Sequence, residues 1–175
     1  DLGSDGLMEF STGMVMDSAR DRFFTLSTQV DPSFSVVRVA LRRCDASGNN
    51  CTRMVLPLSG RAQGRLELLK ATGDLVVPYL DGTKGNQLFV ATCRPDGSAC
   101  ERFATGPKPT GTPCALSSAL APGEDVLYLA AYRGDCGLAT APLALLTYRC
   151  MLATQTCEER AIGAAGAITP HLVVD

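Results

Sequence analysis

The sequence predicts an all-β fold of tandem four-stranded antiparallel meanders stapled by disulfides. Three observations carry this. A cysteine is followed by another after six intervening residues at Cys44–Cys51, Cys93–Cys100 and Cys150–Cys157. Each pair has an apolar run before it, a turn-like stretch inside it and charge after it. The apolar runs are short and bounded by Gly, Pro, Asp and Asn, the punctuation of strands rather than helices. Recurrence of one such pattern marks a repeat architecture.

The middle unit shows the pattern best. Leu66 to Lys70 is a first run, Thr72-Gly73-Asp74 a turn, Leu75 to Leu80 a second run and Gly82 to Asn86 a loop. Leu88 to Cys93 is a third run. Arg94-Pro95-Asp96-Gly97 is a turn, because proline presets one angle and glycine accepts positive φ. Cys100 to Phe103 is a fourth, more polar run. In the first unit the strands are Met14 to Asp17, Phe23 to Ser27, Val36 to Cys44 and one opening at Cys51. Its turns fall at Arg20-Asp21-Arg22, Asp31-Pro32-Ser33 and Asp45 to Asn50. In the third unit they are Cys114 to Leu120, Val126 to Tyr132, Leu143 to Cys150 and one opening at Cys157, with a turn at Pro122-Gly123-Glu124-Asp125. The cysteine period is 49 residues (44 to 93), then 57 (93 to 150); the extra length sits in the loop with Cys136. One repeat domain over 1–175 is expected, with units at about 12–57, 64–106 and 113–163 and a further one starting at 167–175.

The third strands read apolar at odd and even positions, as in Val36-Val37-Arg38-Val39-Ala40-Leu41 and Leu143-Ala144-Leu145-Leu146. Such runs imply cover on both faces. The fourth strands carry charge, as outer edges do. Sheets packed face to face with polar outer strands describe the blades of a β-propeller or partial propeller.

Composition narrows the class. The chain has 175 residues, 46% of them hydrophobic, and a net charge of −2. Its basic residues are scattered, which excludes a nucleic-acid footprint. No apolar stretch approaches the ~20 residues of a membrane span. The nearest, Ala161 to Val174, is broken by glycines, Pro170 and His171. The chain opens on Asp1 without methionine and reads as a processed or partial product.

Eight cysteines favour disulfides and an oxidising compartment. The rival, structural zinc, uses shorter spacings and often histidine, and His171 is the only histidine here. Cys114 and Cys136 are left for a fourth bridge. Each hairpin bridge closes an eight-residue loop and contributes about 2.5 kcal/mol in the chain-entropy model. Asn50-Cys51-Thr52 fits a glycosylation sequon, although its cysteine and tight hairpin argue against Asn50 as an acceptor.

The middle unit reads Gly73-Asp74-Leu75-Val76-Val77-Pro78-Tyr79-Leu80-Asp81, then Gly85-Asn86-Gln87-Leu88-Phe89-Val90-Ala91-Thr92-Cys93, then Cys100. The third unit keeps Tyr132 and Cys150. These units resemble blades of secreted β-propellers of the sialidase-like and kelch-like kind, over roughly residues 12 to 175. The resemblance implies architecture, not activity. Two departures stand out. The chain has no tryptophan and lacks the Ser-x-Asp-x-Gly-x-Thr-Trp turn of sialidases. Three units and a fragment are also too few to close a propeller of four to eight blades. Ile168 to Asp175 matches Gly13 to Asp17, as if another unit starts there, so a larger propeller or strand exchange is expected.

Candidate chemistry is sparse. Asp17, Asp21, Asp74, Asp81, Asp125 and Asp135 contain the makings of a glycosidase carboxylate pair, but read as turn residues. His171 has no nucleophile motif beside it. Arg20, Arg22, Arg38, Arg42 and Arg43 suit an anionic glycan or a solvated face. Tyr79, Tyr128, Tyr132 and Tyr148 suit packing between blades, with Tyr79 and Tyr132 the candidate ligand contacts. Gly163-Ala164-Ala165-Gly166 reads as a linker. The expected function is an extracellular or cell-surface, non-enzymatic structural and protein-interaction module, without cofactor or metal, whose partners are proteins or further copies. The alternatives are a lectin-like glycan-binding propeller and a fragment of a glycosidase propeller.

Overall fold

The computed structural model describes residues 7–33, 37–106, 113–123, 125–133 and 143–165. They form three antiparallel meanders. The first contains β1 (Met8–Asp17), β2 (Arg22–Val30), β3 (Val37–Asp45) and β4 (Cys51–Ala62). The second contains β5 (Glu67–Leu68), β6 (Leu75–Asp81), β7 (Gln87–Cys93) and β8 (Cys100–Ala104). The third contains β9 (Pro113–Leu120), β10 (Val126–Arg133), β11 (Leu143–Met151) and β12 (Thr156–Ala165).

Two hairpins turn through a single 3₁₀ turn. Ser18–Arg20 joins β1 to β2 and ends at Asp21, left-handed at φ 49. Gly82–Lys84 joins β6 to β7 and ends at Gly85, φ 67. The Asp81 carboxylate caps the second turn by accepting from the Thr83 backbone N–H at 2.9 Å.

The separate four-stranded units expected from the sequence are only partly separate. The first two meanders are one eight-stranded sheet; the third is a four-stranded sheet. The weld is β4, whose end, Gly60–Ala62, pairs with Asp81–Tyr79 of β6. A Cβ on Gly60 would overlap the Leu80 carbonyl oxygen, so this approach requires glycine. Pro78 lies inside β6 without breaking the ladder. β4 pairs with β6 from Tyr79 onward and β5 pairs at Leu75 and Val76, so the missing N–H falls between partners.

Two apolar layers hold the meanders together. Phe24, Leu26, Val39 and Leu41 of the first pack with Leu75, Val77, Tyr79 and Ala91 of the second. Val76, Leu80, Leu88 and Val90, from the second meander's other face, pack with Leu127, Leu129, Leu146 and Tyr148 of the third. The second meander is therefore covered on both sides, and all seven residues of β6 are buried. The two-sided cover expected of the third strands is found on β7, which buries Ala91 and Cys93 in one layer and Leu88 and Val90 in the other, but not on β11 or β3. Along β11, buried Leu146, Tyr148 and Cys150 alternate with half-buried Thr147 and exposed Arg149, the pattern of one covered face. On β3, Arg38 and Arg42 stand exposed beside buried Val39 to Leu41.

Candidate functional site

The three predicted hairpin bridges form: Cys44–Cys51, Cys93–Cys100 and Cys150–Cys157. Each joins residues directly opposite across third and fourth strands, with Cα atoms 4.0 to 4.1 Å apart. Cys136, Asp135, His171 and the 168–175 stretch lie outside the described residues, and with Cys136 so does the Cys114–Cys136 bridge. Asn50 is exposed in the first bridged hairpin, where its amide donates to the Asp45 carboxylate at 2.6 Å. Bonds from Ser47 and Asn50 hold the Asp45 carboxyl below its usual range. Asp96, in the second hairpin, is lowered likewise by Ser98.

The bridges share a direction. Cys93 and Cys100 belong to the layer against the first meander, and Cys150 and Cys157 to the layer against the second. Cys44 pairs in register with Phe23 and Cys51, on the face opposite Phe24 and Leu26, and so points away from the second meander.

Two residues after the second cysteine, an arginine reaches back across the sheet. Arg102 donates to the Tyr79 hydroxyl at 3.2 Å and to the Asp81 carboxylate at 3.0 Å. Asp81 is wholly buried; its other oxygen accepts from the Thr83 N–H and hydroxyl. Burial raises the Tyr79 hydroxyl above its ordinary pKa, against the lowering effect of Arg102. In the first meander Arg53 is placed in the same way. It pairs with Glu9 at 3.6 Å and faces the buried Gln29 amide, whose oxygen turned toward the guanidinium accepts from it. Glu9 in turn accepts from Ser27. In the third meander the position is Glu159.

Asp17 is 2% exposed and pairs with Arg22 at 2.9 Å and Arg20 at 3.3 Å. Half-buried Arg22 and exposed Arg20 are thus both paired to Asp17, whereas Arg38 and Arg42 stand exposed on the other sheet face and Arg43 is half-buried. The turn reading undervalued Asp17 and Asp81. Both end strands at turns, but both are buried carboxylates, each with its own guanidinium. The signal available was the shared run of strand, aspartate, three turn residues and a left-handed residue, at 17–21 and 81–85.

Tyr79, a candidate ligand contact, is completely buried, and its ring lies 5.8 Å from that of Phe89. Tyr132 is 6% exposed. Both fill the interior and present no ligand surface, so packing describes them. Exposed apolar surface lies elsewhere. Met14, Met16 and Val55 are 70%, 55% and 48% exposed. They share the disulfide-bearing face of the first meander, where Met16, Phe23, Cys44 and Cys51 form one row and Met14, Thr25, Arg42 and Arg53 the next.

Among the described residues, two crevices beside the layers are well defined. One, about 510 Å³, holds Phe10, Thr12, Arg61, Gln63 and Asn86 among its walls. Phe10 is 51% exposed there. The other, about 320 Å³, lies where the third bridged hairpin meets β8, between Glu101, Phe103, Asp125 and Gln155. Gln155 donates to Glu101 at 3.2 Å. Among the described residues no cluster of three His, Cys, Asp or Glu side chains is arranged to hold a metal, and no helix is long and apolar enough to cross a membrane.

No protein-family model and no curated protein matches the chain. Four solved chains match its structure; one is a single-residue mutant of Synechocystis apocarotenoid oxygenase. That match has a TM-score of 0.52 at 12% identity and covers 92% of this chain. The chain spans 41% of that protein's length. At this identity the likeness is one of fold.

Proposed function

We propose that the chain is a disulfide-stapled, propeller-type module of an extracellular or cell-surface protein, with a structural and protein-binding role rather than a catalytic one. The meanders act as blades stacked face to face. A β-propeller-like neighbour in which this chain spans 41% of the length supports that reading. Three bridges in exposed hairpins suit an oxidising compartment.

The observation that carries the binding role is the first blade's outer face. Met14, Met16 and Val55 are exposed large apolar side chains on one sheet face, with Arg38, Arg42 and Arg53 interspersed among them. Exposed methionine and arginine together on one face mark a protein contact. The buried carboxylates favour the same reading: Asp17 and Asp81 are each neutralised by arginine and serve the fold. A photo-crosslinker at Val55, in native protein, tests the role. Crosslinks to polypeptide are expected; their absence, with crosslinks intact from a probe on another surface, overturns it.

One observation favours the lectin alternative. The 510 Å³ crevice sets an exposed phenyl ring, Phe10, beside Arg61, Gln63 and Asn86, a lining suited to a sugar. A glycan array with wild type and Phe10→Ala decides it. Binding lost in the variant supports a lectin; no bound glycan removes it.

A further inference from the structure

The two inter-blade contacts follow one rule. In blade two the hairpin between Cys93 and Cys100 lies on the fourth strand of blade one. A Cβ on Gly97 would stand 2.7 Å from the Met54 sulfur and 3.4 Å from Leu56. In blade three the hairpin between Cys150 and Cys157 lies on the fourth strand of blade two, with Gln155 bonded to Glu101 and Leu152 beside Phe103. Each bridged face thus packs on the blade before it.

Blade one keeps the parts of such a contact without the neighbour. Gly48 stands four residues after Cys44, as Gly97 stands four after Cys93, and both are left-handed, at φ +77 and +71. No atom lies within 4 Å of a Cβ built on Gly48. Residues 46–50 of the hairpin are all exposed. Met16 and the half-buried Phe23 share the bridge's row, where blade two buries Leu75 and blade three Leu127.

We infer that the bridged face of blade one is an interior face, filled by a further blade of this repeat joined ahead of it in the same polypeptide. The inference rests on the propeller reading and makes the polypeptide bound by that face a blade of the same chain, so the Val55 crosslinks are expected to fall within one chain. The occupant carries an apolar side chain three places after its second bridge cysteine, as Met54 and Phe103 stand three after Cys51 and Cys100. It offers acceptors to Arg42 and Arg38. A second copy of this chain fits less well. Its outermost blade has exposed Arg160 at the Met54 position, so a charged side chain would stand where the two contacts described take Met54 and Phe103. Two copies joined through the same face would bring two sets of exposed Arg38 and Arg42 together. The span supports a blade in cis: three blades in 41% of the similar structure's length scale to a ring of about seven, within the four-to-eight range.

Peroxide footprinting of the 175-residue chain and of the native-length protein tests this, with half-buried Met54 as internal reference. Met14 and Met16 are expected to oxidise readily in the chain and about tenfold or more slowly in the native protein. Gly48→Asn keeps a residue that accepts the left-handed conformation. It is expected to leave the isolated chain's unfolding midpoint unchanged and to restore fast Met14 oxidation in the native protein. Equal rates in both wild-type proteins, or a native protein of only 18.4 kDa, would overturn the inference. So would protection in the isolated chain that grows with concentration as the mass doubles, since a second copy would then be the occupant. Catalysis by a native protein with Met14 protected would end the non-catalytic role and leave this inference standing; an exposed Met14 in an inactive protein would do the reverse.

Discussion

Replacing Arg102 by methionine keeps the aliphatic stem and removes the guanidinium from Asp81 and Tyr79. Asp81 is 0% exposed, and the pair is 3.0 Å apart. One carboxylate oxygen retains its two bonds from Thr83. The other loses the Arg102 donor. Removing one partner of a fully buried pair costs about 3–5 kcal/mol. The Arg102 side chain is 43% exposed, so solvent already screens the pair and water can reach the vacated oxygen. A charge-assisted bond in that setting contributes about 1.5–3 kcal/mol. The expected loss is therefore about 2 kcal/mol, or about 4–8 °C in Tm for a chain of this length. Urea titration followed by circular dichroism gives the free energy, and calorimetry gives the Tm. The double variant with Asp81→Asn should lose less than the sum of the singles, by about 1 kcal/mol or more. A loss within about 0.5 kcal/mol together with an additive cycle would refute the latch.

Other outcomes follow from the same geometry. Cys93→Ala with Cys100→Ala should cost about 2.5 kcal/mol, read from the urea midpoint under oxidising conditions; an unchanged midpoint would mean β8 needs no staple. Gly60→Ala forces a side chain onto the Leu80 carbonyl and should break the β4–β6 weld, at about 3 kcal/mol or more, visible as loss of a single cooperative transition. Hydrogen bonds depress the folded pKa of Asp45, so its stabilisation is present above the unfolded value and disappears as pH falls through the folded one. Asp45→Asn should flatten the acid limb of the stability curve, and an unaltered limb would count against it. Glu67 has the opposite sign. Burial raises its folded pKa against the pull of Arg65, so its contribution is favourable at low pH and lost as pH rises through that value. Glu67→Gln should raise stability at neutral pH, measured by the same titration, and a drop would contradict the assignment.

The strands and bridged hairpins were legible because they are local. Cysteines separated by six residues meet across a turn, and Arg94-Pro95-Asp96-Gly97 can hardly do anything but turn. The interiors of Tyr79 and Tyr132 were legible as packing for the same reason, since each falls within an apolar strand. The roles of Asp17 and Asp81 were not. An aspartate at a turn looks alike whether it faces water or a guanidinium, and Arg102 lies 21 residues from Asp81. Nor was the two-sided burial of β6, since an apolar run states only that cover exists and not which sheet supplies it.

The sequence by itself determined an all-β chain, its turns, its three staples and the cysteine-plus-two arginines, because these depend on neighbours within one hairpin. Tertiary structure alone decided that β4 runs on into the second meander, that the three hairpin bridges point the same way, and that Gly97 is packed while Gly48 stands open. Those are relations between sheets, set by how faces stack through space, and no periodicity along one strand encodes which face another sheet will cover.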